Sequence, residues 1–212
     1  MKDCLTIFKR NLDKYKLKAK IQVKDAMADI NFTELTLYTK SFCQLTPERE
    51  QLLHDISADV VPRLHEVTDA FYIRLLNIEK ALPFLEGRLE TLKASHQKWL
   101  ESLFTQEYDE KFTRFIYHVG NVHVKVKLPV EFMAGGIIQI QQEITDLILD
   151  LYGNDSKHFA EILKALNAVL GFNLQIMQAS YQASTLEVEL ENVLKITGMS
   201  RKLFNNLALA YQ

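Results

Sequence analysis

The chain has 212 residues, 25 basic and 27 acidic side chains and a formal net charge of −2. That near-neutral balance excludes the strongly basic surface of a dedicated nucleic-acid binder. With 48% hydrophobic and 25% charged residues it is a globular composition, long enough to bury a sizeable core around a ligand cavity.

Only seven Gly and four Pro occur, and no turn signal recurs at the short spacing that a sandwich or barrel requires. Long helices with few connections are therefore expected, and the fold class is all-α. No apolar run approaches the roughly 20 residues that span a bilayer. No compact apolar leader with a small-residue cleavage site opens the chain. Cys4 and Cys43 lie far apart without CxxC spacing, so neither a zinc site nor a disulfide framework is implied. A cytoplasmic protein is expected.

In chain order, residues 1–40 form a basic extension. Between Met1 and Lys24 eight basic residues face two acidic ones, which makes this segment +6 and leaves −8 for the remainder. Leu5, Phe8, Leu12 and Tyr15 recur at helical spacing, as in an amphipathic helix that packs one face on the body or on a partner. Thr46 is a good N-cap, with Pro47 at the first helical position and Glu48 and Glu50 beside the positive end of the dipole, for a helix reaching about Val60. Pro62 restarts the chain, and Leu64, Val67, Phe71, Leu75 and Ile78 line the next helix. Glu79 to Gly87 reads as a loop.

Leu89, Leu92, His96, Trp99 and Leu103 then follow at spacings of three and four, with His96 placed partly buried above Trp99. Phe112, Phe115, Ile116, Val119, Val122, His123 and Val126 mark a further helix. Pro129 opens one that runs to the Gly153-Asn154-Asp155 break, and the last long helix runs from about Ser156 toward Leu194. Thr197-Gly198 interrupts it before a short helical segment from Met199 to Tyr211.

The chain contains no Walker loop, no GxGxxG, no HExxH and no GxSxG. Of the six His, His54, His65 and His158 sit among polar neighbours and are expected to be exposed. His118 and His123 lie five apart, roughly 140° apart around a helix, so they cannot chelate one metal together. His123 shares an apolar stripe with Ile116, Val119 and Val126. A lone imidazole there is either a core histidine or the single proximal ligand of a haem, which needs no second ligand nearby in sequence.

The run from Val119 through Gly136 resembles the proximal region of globin-coupled sensors, where a haem-ligating His is followed six positions later by a Pro opening the next globin helix; His123 and Pro129 keep that spacing. Val67-Thr68-Asp69-Ala70-Phe71-Tyr72 resembles the family's aromatic pair, and Leu92 to Phe104, with Lys98-Trp99-Leu100, resembles its distal helix. Lys127 stands where the family commonly has Gly. The resemblance covers roughly residues 40–182. It implies a sensor-globin fold with an extra N-terminal helix, and a C-terminal signalling helix over 183–212.

By the same resemblance, His123 is the proximal ligand of haem b (iron protoporphyrin IX), Tyr72 the distal hydrogen-bond donor and Leu92 the apolar residue near the open coordination site. Phe71, Phe84, Leu85, Leu89, Phe115, Val119, Phe132, Met133 and Ile137 are the candidate haem contacts. The ligand implied is a diatomic gas, O2 foremost, with CO and NO as others. The helices over 129–152 and 156–194 carry surplus apolar surface, and Ala134, Gly135 and Gly136 permit close approach, so a homodimer through these helices is expected. Neither a nucleic-acid nor a membrane partner is expected.

The function implied is a non-enzymatic sensor domain that relays its ligation state to an output module, foremost a diguanylate cyclase. No GGDEF-like or kinase motif occurs, so an excised sensory domain is expected, with a stand-alone sensor globin as the alternative. Rival readings are a haem-free sensor globin that regulates a partner, a haem globin that turns over NO or peroxide, and a helical adaptor that docks through its basic N-terminal segment.

Overall fold

The structure is a computed structural model that describes residues 30–210. The basic segment 1–24, its expected helix and Cys4 lie outside the described residues. Among the described residues the chain is all-α, without strands. The helices are α1 (Phe32–Cys43), α2 (Pro47–Asp55), α3 (Ser57–Val60), α4 (Leu64–Leu76), α5 (Leu82–Leu85), α6 (Leu89–Thr105), α7 (Glu110–Lys125), α8 (Val130–Tyr152), α9 (Ser156–Thr197) and α10 (Arg201–Ala210). Residues 32–182 form one compact unit, and the described residues from 183 onward belong to a second.

Local chemistry sets the boundaries. The Thr46 side chain accepts the Arg49 N–H at 3.4 Å, and Pro47 occupies the first turn of α2. The single helix expected from Thr46 to Val60 is broken at Ile56, whose N–H still bonds back to Leu52. A 3-10 turn over Val61–Arg63 then carries the chain past Pro62, which has no N–H to continue the ladder. The break keeps Leu53, Ile56, Val60 and Leu64 all buried. The loop expected over Glu79–Gly87 contains a 3-10 turn and the single turn of α5. Asp109 caps α7 by accepting the Phe112 N–H at 2.8 Å.

The core of the larger unit is built from Leu53, Leu64, Leu100, Leu103, Phe104, Ile116, Ile144, Ile148, Ile162, Leu166 and Phe172, all fully buried. At 0.8 kcal/mol or so per buried methylene, this apolar interior is the main stabilising term. Helix α4 packs against both α6 and α8. At Gly136 of α8 an added Cβ would lie 3.6 Å from the Phe71 ring, so this glycine faces α4 within its own chain.

Helix α1 lies along α7. The Phe32 and Tyr117 rings meet edge to face at 5.3 Å, the Arg114 guanidinium sits 4.2 Å over Phe32, and the Thr36 and Thr113 hydroxyls are 2.7 Å apart. The division expected at residue 40 therefore falls inside a helix that belongs to the larger unit. In the second unit, Gly198 at φ +67° ends α9. Arg201 then pairs with Glu187 at 2.7 Å and with Glu191.

Candidate functional site

His123 lies in the last turn of α7, in a tightly specified C-terminus. The Leu128 N–H bonds the His123 carbonyl at 3.0 Å and the Lys127 N–H bonds Val124 at 2.9 Å, the paired bonds of a Schellman motif. That motif needs a left-handed residue between them, and Lys127 takes it at φ +57°. A glycine adopts this conformation without a Cβ clash, whereas Lys127 bears one. The Tyr181 hydroxyl of α9 donates to Leu128 O at 2.6 Å and anchors the chain leaving the site.

The imidazole of His123 has a buried Nδ1 with no hydrogen-bond partner, and burial lowers its pKa, so the ring is neutral. Three residues earlier, at Gly120, α7 lies close against α9. A Cβ on Gly120 would stand 2.7 Å from Ser180 Oγ and 2.9 Å from the Met177 carbonyl. The Ser180 hydroxyl donates to Tyr117 O at 2.7 Å and lies 2.8 Å from Asn121 Oδ1. The helix carrying His123 is thus held to α9 on both sides of the histidine.

On α4, Phe71 and Tyr72 are buried and meet edge to face at 5.3 Å. Burial pushes the Tyr72 phenol up to about 12, so it remains a protonated donor, and no hydrogen bond occupies it among the described residues. On α6, His96 lies 4.8 Å from the Phe71 ring and 5.7 Å from Tyr72, and stacks parallel on Trp99 at 5.1 Å. Its Nδ1 is also buried without a partner. Burial first, and then the positive charge of a protonated His123, push His96 down to about 4.

Of the expected contacts, Phe71, Tyr72, Leu85, Met133 and Ile137 are buried, and Leu89, Leu92 and Val119 pack partly buried against the core. Phe84 and Phe132 are half-buried, with ring centroids 6.0 Å apart. Phe115 is 48% exposed, its ring centroid lies 6.3 Å from that of Phe112, and it points roughly 80° away from His123 around α7. His96 joins Phe71, Tyr72 and Trp99, a role its sequence position beside Trp99 did not reveal. The available signal was its four-residue spacing from Leu92, which puts both on one face of α6.

Two further histidines depart from expectation. His54 is half-buried, stacks on Tyr108 at 6.1 Å and places Nε2 3.0 Å from Gln106 O. His158 is half-buried with its ring against Tyr152 at 5.4 Å. Cys43 is half-buried, which raises its thiol pKa and makes it a poor nucleophile.

The all-α helix order, with a buried histidine in the last turn of α7, is that of a globin. A sequence model of the protoglobin family matches residues 33–187, and the chain belongs to that family. Among solved structures it is similar to the globin domain of the Geobacter sulfurreducens globin-coupled sensor, with 28% identity and a TM-score of 0.64 over 68% of this chain and 96% of that one. The globin domain of E. coli DosC, in a ferric form, gives 17% identity and a TM-score of 0.57 over 66% of this chain and 97% of that one. Its ferrous form gives 16% and 0.57 over 66% and 96%. At such identity the DosC likeness is one of fold. No curated protein matches the chain.

A globin-family domain implies a haem cofactor. The residues present fit that group: a neutral imidazole with an unpartnered buried nitrogen, a free phenol donor and apolar walls. Among the described residues no group of three or more His, Cys, Asp or Glu could hold a metal ion. No described helix is long and apolar enough to cross a membrane.

Proposed function

We propose that the chain is the haem b sensor domain of a globin-coupled sensor. The observation that carries the reading is the unpartnered, buried Nδ1 of His123 in a protoglobin-family fold. A bound ferrous haem supplies a coordination position for a diatomic gas, O2 foremost and CO or NO otherwise. His123 would hold the iron, and its ring is already neutral, the form that ligates. Tyr72 presents a protonated hydroxyl to the ligand, which favours O2, the better hydrogen-bond acceptor, over CO. Phe71, Met133 and Ile137 exclude water.

The output follows from how α7 is held. A displacement of His123 reaches α9 through Gly120, Ser180 and Tyr181, and α9 continues past the globin unit to Thr197. The partner across the relay is a second copy of the chain, docked through the helices over 129–152 and 156–194; the exposed Ile138 and Leu149 share one face of α8. The output is a cytoplasmic signalling module, foremost a diguanylate cyclase, and the domain has no catalysis of its own. A shift of this kind requires a coupling energy of about 1–3 kcal/mol.

The test is spectroscopic. His123→Ala is expected to lose the oxygen-responsive Soret spectrum of the wild type. Tyr72→Phe is expected to release O2 about tenfold faster, the equivalent of one hydrogen bond of about 1.4 kcal/mol. An unchanged spectrum in His123→Ala would refute the assignment.

A further inference from the structure

The second unit holds a helical hairpin with an uncovered apolar side. Arg201 pairs with Glu191 and with Glu187, 14 residues earlier. A continuous helix would hold Arg201 and Glu187 about 21 Å apart, so the chain turns back at Gly198 and α10 runs antiparallel along the end of α9. Glu187, Glu191 and the buried Leu194 mark the side of α9 that faces α10. Arg201, Phe204 and Ala208, each half-buried, mark the facing side of α10. Leu186, Leu190 and Val193 lie about 100° round α9 from that contact, and Leu203 and Leu207 lie about 110° round α10 in the same sense. In antiparallel helices matching offsets fall on one side of the pair, so these five residues form one apolar seam. Leu186, Val193, Leu203 and Leu207 are 42–56% exposed. The opposite side carries Lys195, Lys202 and Asn205 beside Val188.

We propose that the chain's own basic segment, residues 1–24, docks on this seam as a third helix. Two helices cannot enclose a core between them, whereas a third amphipathic helix laid over both can. On a helix Leu5, Phe8, Leu12 and Tyr15 fall within an arc of about 80° and span about 15 Å, the length of α10. Lys9 and Lys16 border that arc. Glu189 borders the seam on its outer side, exposed and without an ion pair among the described residues. The segment carries +6 and the rest of the chain −8, so attraction favours docking within the chain.

Docking would close the end of α9 by which the proposed relay leaves. While residues 1–24 occupy the seam, neither an output module nor a second copy can use it, and their release uncovers it. The contact involves none of the residues assigned to the haem, so it stands or falls apart from that reading.

The experiment is amide hydrogen exchange on the full chain, read by mass spectrometry. In the wild type, residues 5–15 are expected to exchange at least about tenfold more slowly than a free peptide, and serial dilution should leave that protection unchanged. Leu203→Ser combined with Leu207→Ser should abolish it. Reciprocally, Leu5→Ser combined with Leu12→Ser should speed exchange over residues 186–207, a readout that holds even where the hairpin variant unfolds locally. Added salt and Glu189→Lys should each weaken the protection. Free-peptide exchange of residues 5–15 in the wild type would overturn the proposal. Protection that survives the hairpin substitutions would overturn it by placing the segment elsewhere, and protection lost on dilution would assign the seam to a second copy instead.

Discussion

Gly120→Ala perturbs the contact on which the relay depends. Alanine is about 1 kcal/mol better than glycine in a helix interior, so an unobstructed substitution would stabilise the protein. Here the new Cβ would meet Ser180 Oγ at 2.7 Å, Ser180 Cβ at 2.8 Å and the Met177 carbonyl at 2.9 Å. Two of these three atoms belong to the backbone or are fixed directly to it, so α7 must move away from α9. Overpacking of this kind costs typically 1–3 kcal/mol, and the lack of a yielding neighbour places it at the upper end, about 2–3 kcal/mol. After the propensity gain, a net loss of about 1–2 kcal/mol remains, which lowers Tm by about 2–8 °C for a chain of this size. Thermal unfolding followed by circular dichroism measures it. A Tm equal to or above the wild-type value would refute the close approach of α7 and α9.

Other outcomes follow from single contacts. Lys127→Gly relieves the left-handed backbone at φ +57° and should raise stability by up to about 1 kcal/mol in denaturant unfolding. Ser180→Ala removes the donor to Tyr117 O from a fully buried site and should cost about 1–2 kcal/mol by the same assay. For the haem-free chain, the unfolded His96 titrates near 6.5 whereas the folded one is pushed down to about 4, so the unfolded state binds the extra proton between those values. Stability should therefore fall, by up to about 3 kcal/mol, as pH drops through that window, and His96→Leu should flatten the profile.

The helices were legible because their apolar spacing and caps are strong: Thr46-Pro47, Pro129, the Gly153 break and Gly198 all mark real boundaries. The inward placement of the His123 ring was legible through its apolar stripe with Ile116 and Val119. The break at Ile56 was not, because Leu53, Ile56 and Val60 also fit an unbroken helix and only packing selects the bend. The role of His96 depends on Phe71 and Tyr72, some 25 residues earlier in sequence, which no local spacing brings together. The Gly120–Ser180 approach was illegible for the same reason.

The central claim is that this chain binds haem through His123. The direct measurement is the absorption spectrum of the purified full chain titrated with haem, for wild type and for His123→Ala, under argon and under O2. The account predicts a Soret band that saturates at one haem per chain, changes on reduction and on O2 addition, and is lost or altered by the substitution. A wild-type chain that remains colourless with haem in excess, or a band indifferent to His123, would contradict it.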